Sequence, residues 1–315
     1  MKKIVVAGEI LVEIMAETVG DGFTAPISLI GPFPSGAPAI FIDQVARIGQ
    51  PCGIVSCVGD DDFGRLNVRR LVEDGVDVSA IGIDPDRPTG SAFVRYRADG
   101  SRDFVFNIRY SACGTLPRTP AVAALLASAD HFHVMGSSLS SPKIVAFNIV
   151  AAREIKERGG TVSFDPNLRK EILSAPGMAE AMQSILKMTD LFLPSGAEIT
   201  LLTEAQTETD AVAELLSGGI SAVVHKQGAT GVAHYDAAGR RFVSAFQVKE
   251  VDPTGAGDCF GGAFTALWLR GLPIDDALTL AAAAGALAVT RRGPMEGAFD
   301  METIRRFAAT TARVS

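Results

Sequence analysis

Gly255, Gly257 and Asp258 stand within four residues of one another in the stretch DPTGAGDCFGGAFTALWLRGLP, residues 252 to 273. Phe260, Ala263, Phe264, Leu267 and Trp268 recur at the spacing of one buried helical face, and Gly271 and Pro273 supply stop signals. The glycines and the carboxylate therefore fall on a first helical turn. Backbone N–H groups there have no intrahelical partner, and the helix dipole makes that end locally positive, so the turn is suited to an anion. A carboxylate beside a bound phosphate can take the proton of an attacking hydroxyl, which is the chemistry of phosphoryl transfer to an alcohol. An aspartate of ordinary pKa, about 3.9, is a weak base, but this reaction passes through a loose transition state in which positioning counts for more. Taken alone, the GxGD string suits equally well a capping carboxylate with glycines that serve packing.

The elements that must hold this turn are read from periodicity. Short β-rich runs (KIVVAGEI, CGIVSCVG, ADHFHVMG, GTVSFD, TDLFLP, SAVVHKQG) alternate with helical patterns such as PAIFIDQVARIGQ, RLNVRRLVEDG and IVAFNIVAAREIKERG. Such alternation predicts parallel strands with crossover helices. The fold class expected is α/β, a doubly wound three-layer sandwich with a mainly parallel central sheet. GSAFVRYRADGSRDFVFNI differs, reading as two strands about an Asp99–Gly100 turn. With GFTAPISLIG, residues 22 to 31, it is expected to form a small antiparallel β lid. The expected organisation is one domain over residues 1–315, with lid strands near 12–34 and 88–110 inserted in it.

Composition excludes several alternatives. The 315 residues are 47% hydrophobic, enough for a buried core, and the net charge of -7 lacks the footprint expected for a polyanionic partner. Nucleic acid is not an expected partner. The four cysteines, Cys52, Cys57, Cys113 and Cys259, form no CxxC pair, which fits packed, reduced thiols and a cytoplasmic location. Glu9 and Glu13 interrupt the apolar opening run, and the uncharged stretch from Ala277 to Thr290 is short of the roughly 20 residues a spanning helix needs. No membrane segment is expected. P-loop, dinucleotide, HExxH and GxSxG patterns do not occur, which removes the usual support for hydride transfer, zinc hydrolysis and serine-hydrolase chemistry.

Asp252 to Phe260 fits the form D-[TP]-x-G-A-G-D-x-F, and here the chain resembles the ribokinase (PfkB-type) family of carbohydrate kinases. The resemblance extends to FPSGAPAIFIDQVARIGQPCGIVSCVGDDDFG, SFDPNLRKEI, LPSGAEITLL, VVHKQGATGVAHY and LAAAAGALAVTRRGPMEG, in the family's order. It implies ATP and magnesium as cofactors, Asp258 as catalytic base, and the N–H groups of Gly255, Ala256 and Gly257 as an anion hole. It places Glu198 where magnesium is organised through water, and Ser195, Lys226, Gly228 and Gly231 with the ATP phosphates. For the sugar it implies Glu13, Ser35, Gly36 and Ala37, then Asn107 and Arg109 from the lid's return strand, then Asn167 and Arg169. It also implies a monovalent cation, potassium, near Asp252, and a homodimer through the lid.

Four residues depart from the family pattern: Ser35 for glycine, Ile40 for asparagine, Glu13 for aspartate and Ser195 for asparagine. Three of these touch the sugar side, so they bear on the substrate rather than on the phosphoryl chemistry. FNIRYSACGTL resembles the arginine-bearing lid segment of fructokinase-like members, which favours a ketohexose of the fructose or tagatose type. The alternative within the class is 2-keto-3-deoxygluconate, whose carboxylate Arg109 or Arg169 can bind in bidentate fashion. A catalytically silent sugar-binding protein on the same fold is the alternative of another class.

Overall fold

The computed structural model describes residues 1–168 and 177–314. The chain opens with β1 (Ile4–Ala7) and passes directly into β2 (Leu11–Ala16) and β3 (Leu29–Ser35) of a second sheet. It returns through α1 (Ala37–Arg47), β4 (Cys52–Gly59), α2 (Asp62–Glu73) and β5 (Ile81–Asp84). A second excursion forms β6 (Gly90–Tyr96) and β7 (Arg102–Asn107). The body then continues as α3 (Pro120–Ala127), β8 (His131–Met135), α4 (Pro142–Glu157), β9 (Thr161–Asp165), α5 (Met178–Leu186) and β10 (Leu191–Phe192). After α6 (Glu198–Leu201) and α7 (Glu208–Ser217) come β11 (Ala222–Lys226), β12 (Gly231–Asp236) and β13 (Gly239–Ser244). Three helices follow: α8 (Ala256–Leu269), α9 (Ile274–Ala288) and α10 (Met301–Thr310).

The large sheet has the order β13-β12-β11-β10-β9-β8-β1-β4-β5. It is parallel from β5 to β11 and antiparallel at the β11–β12–β13 edge. Successive residues of one strand feed opposite faces. Ile4 and Val6 join the cluster of α1, α8 and α9, while Val5 and Ala7 join that of α3, α4 and α5. This two-sided burial is why the body strands read as continuous apolar runs rather than as alternation.

The small sheet has the order β3-β2-β6-β7. Its outer pairs are antiparallel, and its central pair, β2 with β6, is parallel. The two hairpins leave the body in separate excursions in the same direction, so their first strands lie side by side without a turn between them. The expected Asp99–Gly100 turn is present, with Gly100 at φ 82° and its N–H bonded to the Arg97 carbonyl at 3.0 Å. Of the stretch 22–31, only Leu29 onward is strand.

Body strands deliver site residues at their carboxyl ends. Asp165 closes β9 and Lys226 closes β11, with α8 starting above them. That edge of an open α/β sheet is where ligand crevices form.

Candidate active site

Gly255 is the N-cap of α8 and sits in the left-handed region, at φ 83° and ψ −7°, with no side-chain cap bond to the helix. A β-carbon there would run into the carbonyl oxygen of Pro294, so both the backbone sign and the space require glycine. At Gly257 the nearest atom to a β-carbon would be Lys226 Nζ, at 3.7 Å, which leaves the first turn open to a ligand. α9 explains its own alanine content: a β-carbon on Gly285 would lie 3.1 Å from the Ala256 carbonyl oxygen, so the two helices meet almost backbone to backbone. That contact anchors the turn from behind. Ile40, 2% exposed, closes the other side, its Cγ2 at 3.3 Å from a β-carbon built on Gly255. The departure at Ile40 therefore contributes packing against the first turn of α8.

Asp258 lies in this first turn and is 9% exposed. The Asn167 amide, Nδ2, donates to its Oδ1 at 3.4 Å and also stands 3.4 Å from the Met135 sulfur. Asn167 has φ 37°, a left-handed value that asparagine tolerates because its amide bonds locally. Its backbone N–H donates to Asp165 Oδ1 at 3.2 Å, while Asp165 Oδ2 is ion-paired with Lys226 Nζ. One buried carboxylate, Asp165, therefore braces both the asparagine beside Asp258 and the lysine below Gly257. It opens the D-x-N-x-R segment, but no spacing rule assigns it that task.

Glu198 Oε1 accepts from the Leu168 N–H and Oε2 from the Ser195 N–H, each at 2.7 Å. Burial, and then the neighbouring Asp165 carboxylate, raise its pKa above the ordinary glutamate value. Each oxygen keeps a second lone pair for an ordered water. Two carboxylates close enough to repel one another, served by one lysine, fit a hard divalent cation that retains several waters.

Two adjoining cavities sit beside the turn. One of about 440 Å3 is lined by Ser195, Gly196, Lys226, Gln227, Gly228 and Gly257. Gly228 at φ 56° lets the backbone turn close to it, and Gly231, at φ 139°, borders the second cavity. The other, about 510 Å3, is a largely apolar slot with Val232, Phe246, Ala282, Ala286 and Val314 among its walls. The segment 312–314 reaches it by pairing with 245–247: Gln247 N–H donates to the Ala312 carbonyl at 2.9 Å and Val314 N–H to Ala245 at 2.8 Å. Arg313 stacks over the Phe246 ring at 3.7 Å. A chamber edged by Ser195, Lys226 and Gln227 that adjoins a slot walled by Val232, Phe246 and Val314 matches the two ends of a nucleotide.

Of the residues expected to hold the sugar, Glu13 on β2 is 4% exposed, and Ser35 donates its N–H to Asn67 Oδ1 at 3.3 Å. Gly36, φ 111°, caps α1, and a β-carbon on it would meet the Glu9 carbonyl; Ala37 starts the helix. Asn107 is exposed and bonds Ser91 Oγ at 3.3 Å. Arg109 was expected on the return strand but lies two residues past the end of β7, exposed, with its guanidinium 5.5 Å from the Tyr110 ring centre. β7 ends because Asn107 is the last residue with a partner on β6, Ser91. Arg169 lies outside the described residues.

Asp252, 1% exposed, accepts from the Tyr96 hydroxyl at 2.5 Å and the Thr254 N–H at 3.0 Å on Oδ1, and from the Gly293 N–H at 2.9 Å on Oδ2. Three protein donors reach this carboxylate. Oδ2 meets only one of them and keeps a second lone pair, as a cation ligand requires.

The sequence pattern of the pfkB family carbohydrate kinases matches residues 1–300. Fructokinase-1 of Oryza sativa subsp. japonica is 31% identical over 297 residues, 91% of this chain and 91% of that protein. The 2-dehydro-3-deoxygluconokinase of Thermoproteus tenax is 32% identical over 308 residues, 94% of this chain and 91% of the relative. An E.coli protein whose crystal structure holds ATP and Mg+2 superposes with a TM-score of 0.92 at 47% identity, over 98% of this chain and 99% of that one. With the pattern running through the lid, the body and the helix that carries Asp258, the chain belongs to the PfkB family of carbohydrate kinases.

Proposed function

We propose that this kinase transfers the γ-phosphoryl group of ATP to a primary hydroxyl of a small sugar, a ketohexose of the fructose or tagatose type. The observation that carries the reading is the juxtaposition of an uncapped first helical turn with Asp258, beside two adjoining cavities that Gly257 and Lys226 both line. Similarity to fructokinases over most of the chain supports the ketohexose.

Each role then follows from position. The apolar slot takes the base, and the chamber at Ser195, Lys226, Gly228 and Gly231 takes the phosphates. The N–H groups of Gly255, Ala256 and Gly257 meet the travelling phosphoryl group, whose negative charge the helix end and Lys226 offset. Asp258 orients the sugar hydroxyl and accepts its proton, with the Asn167 amide holding the carboxylate in place. Glu13, Ser35, Gly36 and Ala37 lie under the sugar, and Asn107 and Arg109 approach it from the lid side. Magnesium, held through water by Glu198, supplies charge neutralisation across the phosphates when bound.

The lid arginine and the 32% identical Thermoproteus tenax relative favour a second reading, 2-keto-3-deoxygluconate as acceptor. An ADP-release assay over fructose, tagatose and 2-keto-3-deoxygluconate separates the two by kcat/KM. A sugar acid preferred by more than about tenfold, roughly 1.4 kcal/mol of transition-state binding, replaces the ketohexose reading. Thermal stabilisation by a sugar with no turnover of any makes the protein a sugar binder instead. The lid's outer strand also leaves Val105 46% exposed, which supports the homodimer through this sheet; sedimentation velocity checks it.

A further inference from the structure

Tyr96 and Arg102 face each other across the lid hairpin, at the end of β6 and the start of β7. Both reach the body at the same point. The Tyr96 hydroxyl donates to Asp252 at 2.5 Å and lies 3.3 Å from Thr254 Oγ1, and Arg102 Nη1 donates to that Thr254 oxygen at 3.2 Å. A third lid residue joins them from β3: a β-carbon on Gly293 would stand 2.7 Å from the Phe33 ring, so the ring lies flush on that glycine. Gly293 is itself tied to Asp252 through its N–H, at 2.9 Å.

What the lid grips is the support of the anion hole. Thr254 immediately precedes Gly255, and its N–H is held by Asp252 at 3.0 Å. Gly293 immediately precedes Pro294, whose carbonyl defines the space that Gly255 occupies. Asp252 thus joins three segments that are distant in sequence: the lid, the entry to α8 and the loop after α9. Because a carboxylate only accepts, the phenol must be the donor. Burial first, and the Asp252 hydrogen bond second, push the Tyr96 pKa well above its ordinary range, so this donor stays protonated at working pH.

We infer that Tyr96 is a positioning residue through which lid closure sets the anion hole, its phenol fixing Asp252 and thereby Thr254 and the turn at Gly255. The inference rests on the kinase reading above. With the lid down the turn is braced. With the lid up, Asp252 loses a buried partner and Gly293 loses its ring contact, so the turn that meets the phosphoryl group is left less constrained. Coupling of this kind would delay full assembly of the phosphate site until a sugar has brought the lid down, which protects ATP from water.

Tyr96→Phe keeps the ring and its packing and removes one hydroxyl. The expected result is a kcat lowered by about tenfold with both KM values within about twofold, the pattern of an interaction needed mainly in the transition state. Hydrogen–deuterium exchange should accelerate several-fold in the peptide spanning residues 251–257, while melting stays within a few degrees of the parent. Arg102→Ala should produce a smaller change of the same kind. An unchanged kcat together with unchanged exchange at 251–257 overturns the inference, as does a loss of activity that only tracks a fall in melting temperature. Failure of the parent protein to phosphorylate any sugar removes the proposed function, and the exchange comparison still decides whether Tyr96 braces the turn.

Discussion

The ammonium of Lys226 is paired with the buried carboxylate of Asp165, 3.7 Å from where a β-carbon on Gly257 would stand. The lysine is 12% exposed and borders the cavities, whereas the aspartate is 3% exposed, so the carboxylate has no bulk water as an alternative partner. Lys226→Met should cost about 3–5 kcal/mol, because it strands a buried carboxylate. Lys226→Met with Asp165→Asn should recover most of that stability in urea unfolding. The KM for ATP should stay raised in both variants, since neither restores a positive charge to the phosphate chamber. A double variant with parental KM would show that the pair is structural only.

Gly255 and Gly257 separate folding from function. Gly255→Ala forces a β-carbon against the Pro294 carbonyl at φ 83°, so it should cost at least about 1–2 kcal/mol and displace the turn, lowering stability and kcat together. Gly257 has helical backbone and open space beside it. Gly257→Ala should therefore raise stability by up to about 1 kcal/mol through helix propensity, while its methyl group intrudes on the phosphate chamber. Melting curves and the KM for ATP, measured on both variants, check the opposite signs.

The contrast shows what was readable without coordinates. Phe260, Phe264 and Leu267 are spaced as one helical face, and that alone located the first turn, its glycines and Asp258. Body strands were likewise readable, since burial on both faces makes an apolar run such as CGIVSCVG hard to mistake. Periodicity reports which face of an element is buried, but not what lies opposite. Nothing in VRYRADG points to Asp252, because Tyr96 and Asp252 are 156 positions apart and meet only when two sheets and a helix entry are assembled. The parallel β2–β6 pair was hidden for the same reason, with a βαβ excursion of the body between its strands. The stacking of Arg313 on Phe246, beside the apolar slot, also depends on pairing between remote segments. Asp165 was visible as the opening of a motif, whereas its bracing of Lys226 and Asn167 was not.

Stability should fall on the acid side of neutrality. His131 and His133 are both 0% exposed and share the Ser163 hydroxyl, each at 2.7 Å; His133 stacks on Phe41 with ring centres 3.7 Å apart. Burial depresses the His131 pKa to about 3 and that of His133 well below the usual histidine value. In the unfolded chain both titrate near 6.5, so below that pH the unfolded state binds more protons than the folded one. Their contribution is fully present above about pH 6.5 and is lost as pH falls toward the folded values. Melting temperature should be flat from pH 7 to 8 and drop steadily from pH 6 to 4. A melting temperature that holds level to pH 4 contradicts the neutral buried pair.

In the proposed mechanism Asp258 accepts the hydroxyl proton, and the variant that isolates this task is Asp258→Asn. Asparagine keeps the shape and can still meet the Asn167 amide with its carbonyl oxygen, so the site should assemble. As a residue of the first helical turn, the charged aspartate gains at most about 0.3–1 kcal/mol from the helix dipole, and the fold should survive its loss. The N–H groups at Gly255, Ala256 and Gly257 are backbone and remain, so the KM for ATP should change by less than about threefold, under 1 kcal/mol. What disappears is the group that accepts the hydroxyl proton, and kcat should fall by about 10²–10⁴-fold. Asn167→Ala should fall less, by about tenfold, because it leaves the acceptor in place and removes only its orienting partner. Steady-state kinetics of both variants with the preferred sugar measure this order. An Asp258→Asn enzyme that keeps a third of parental kcat, or an Asn167→Ala enzyme more impaired than it, would move the proton acceptor away from Asp258.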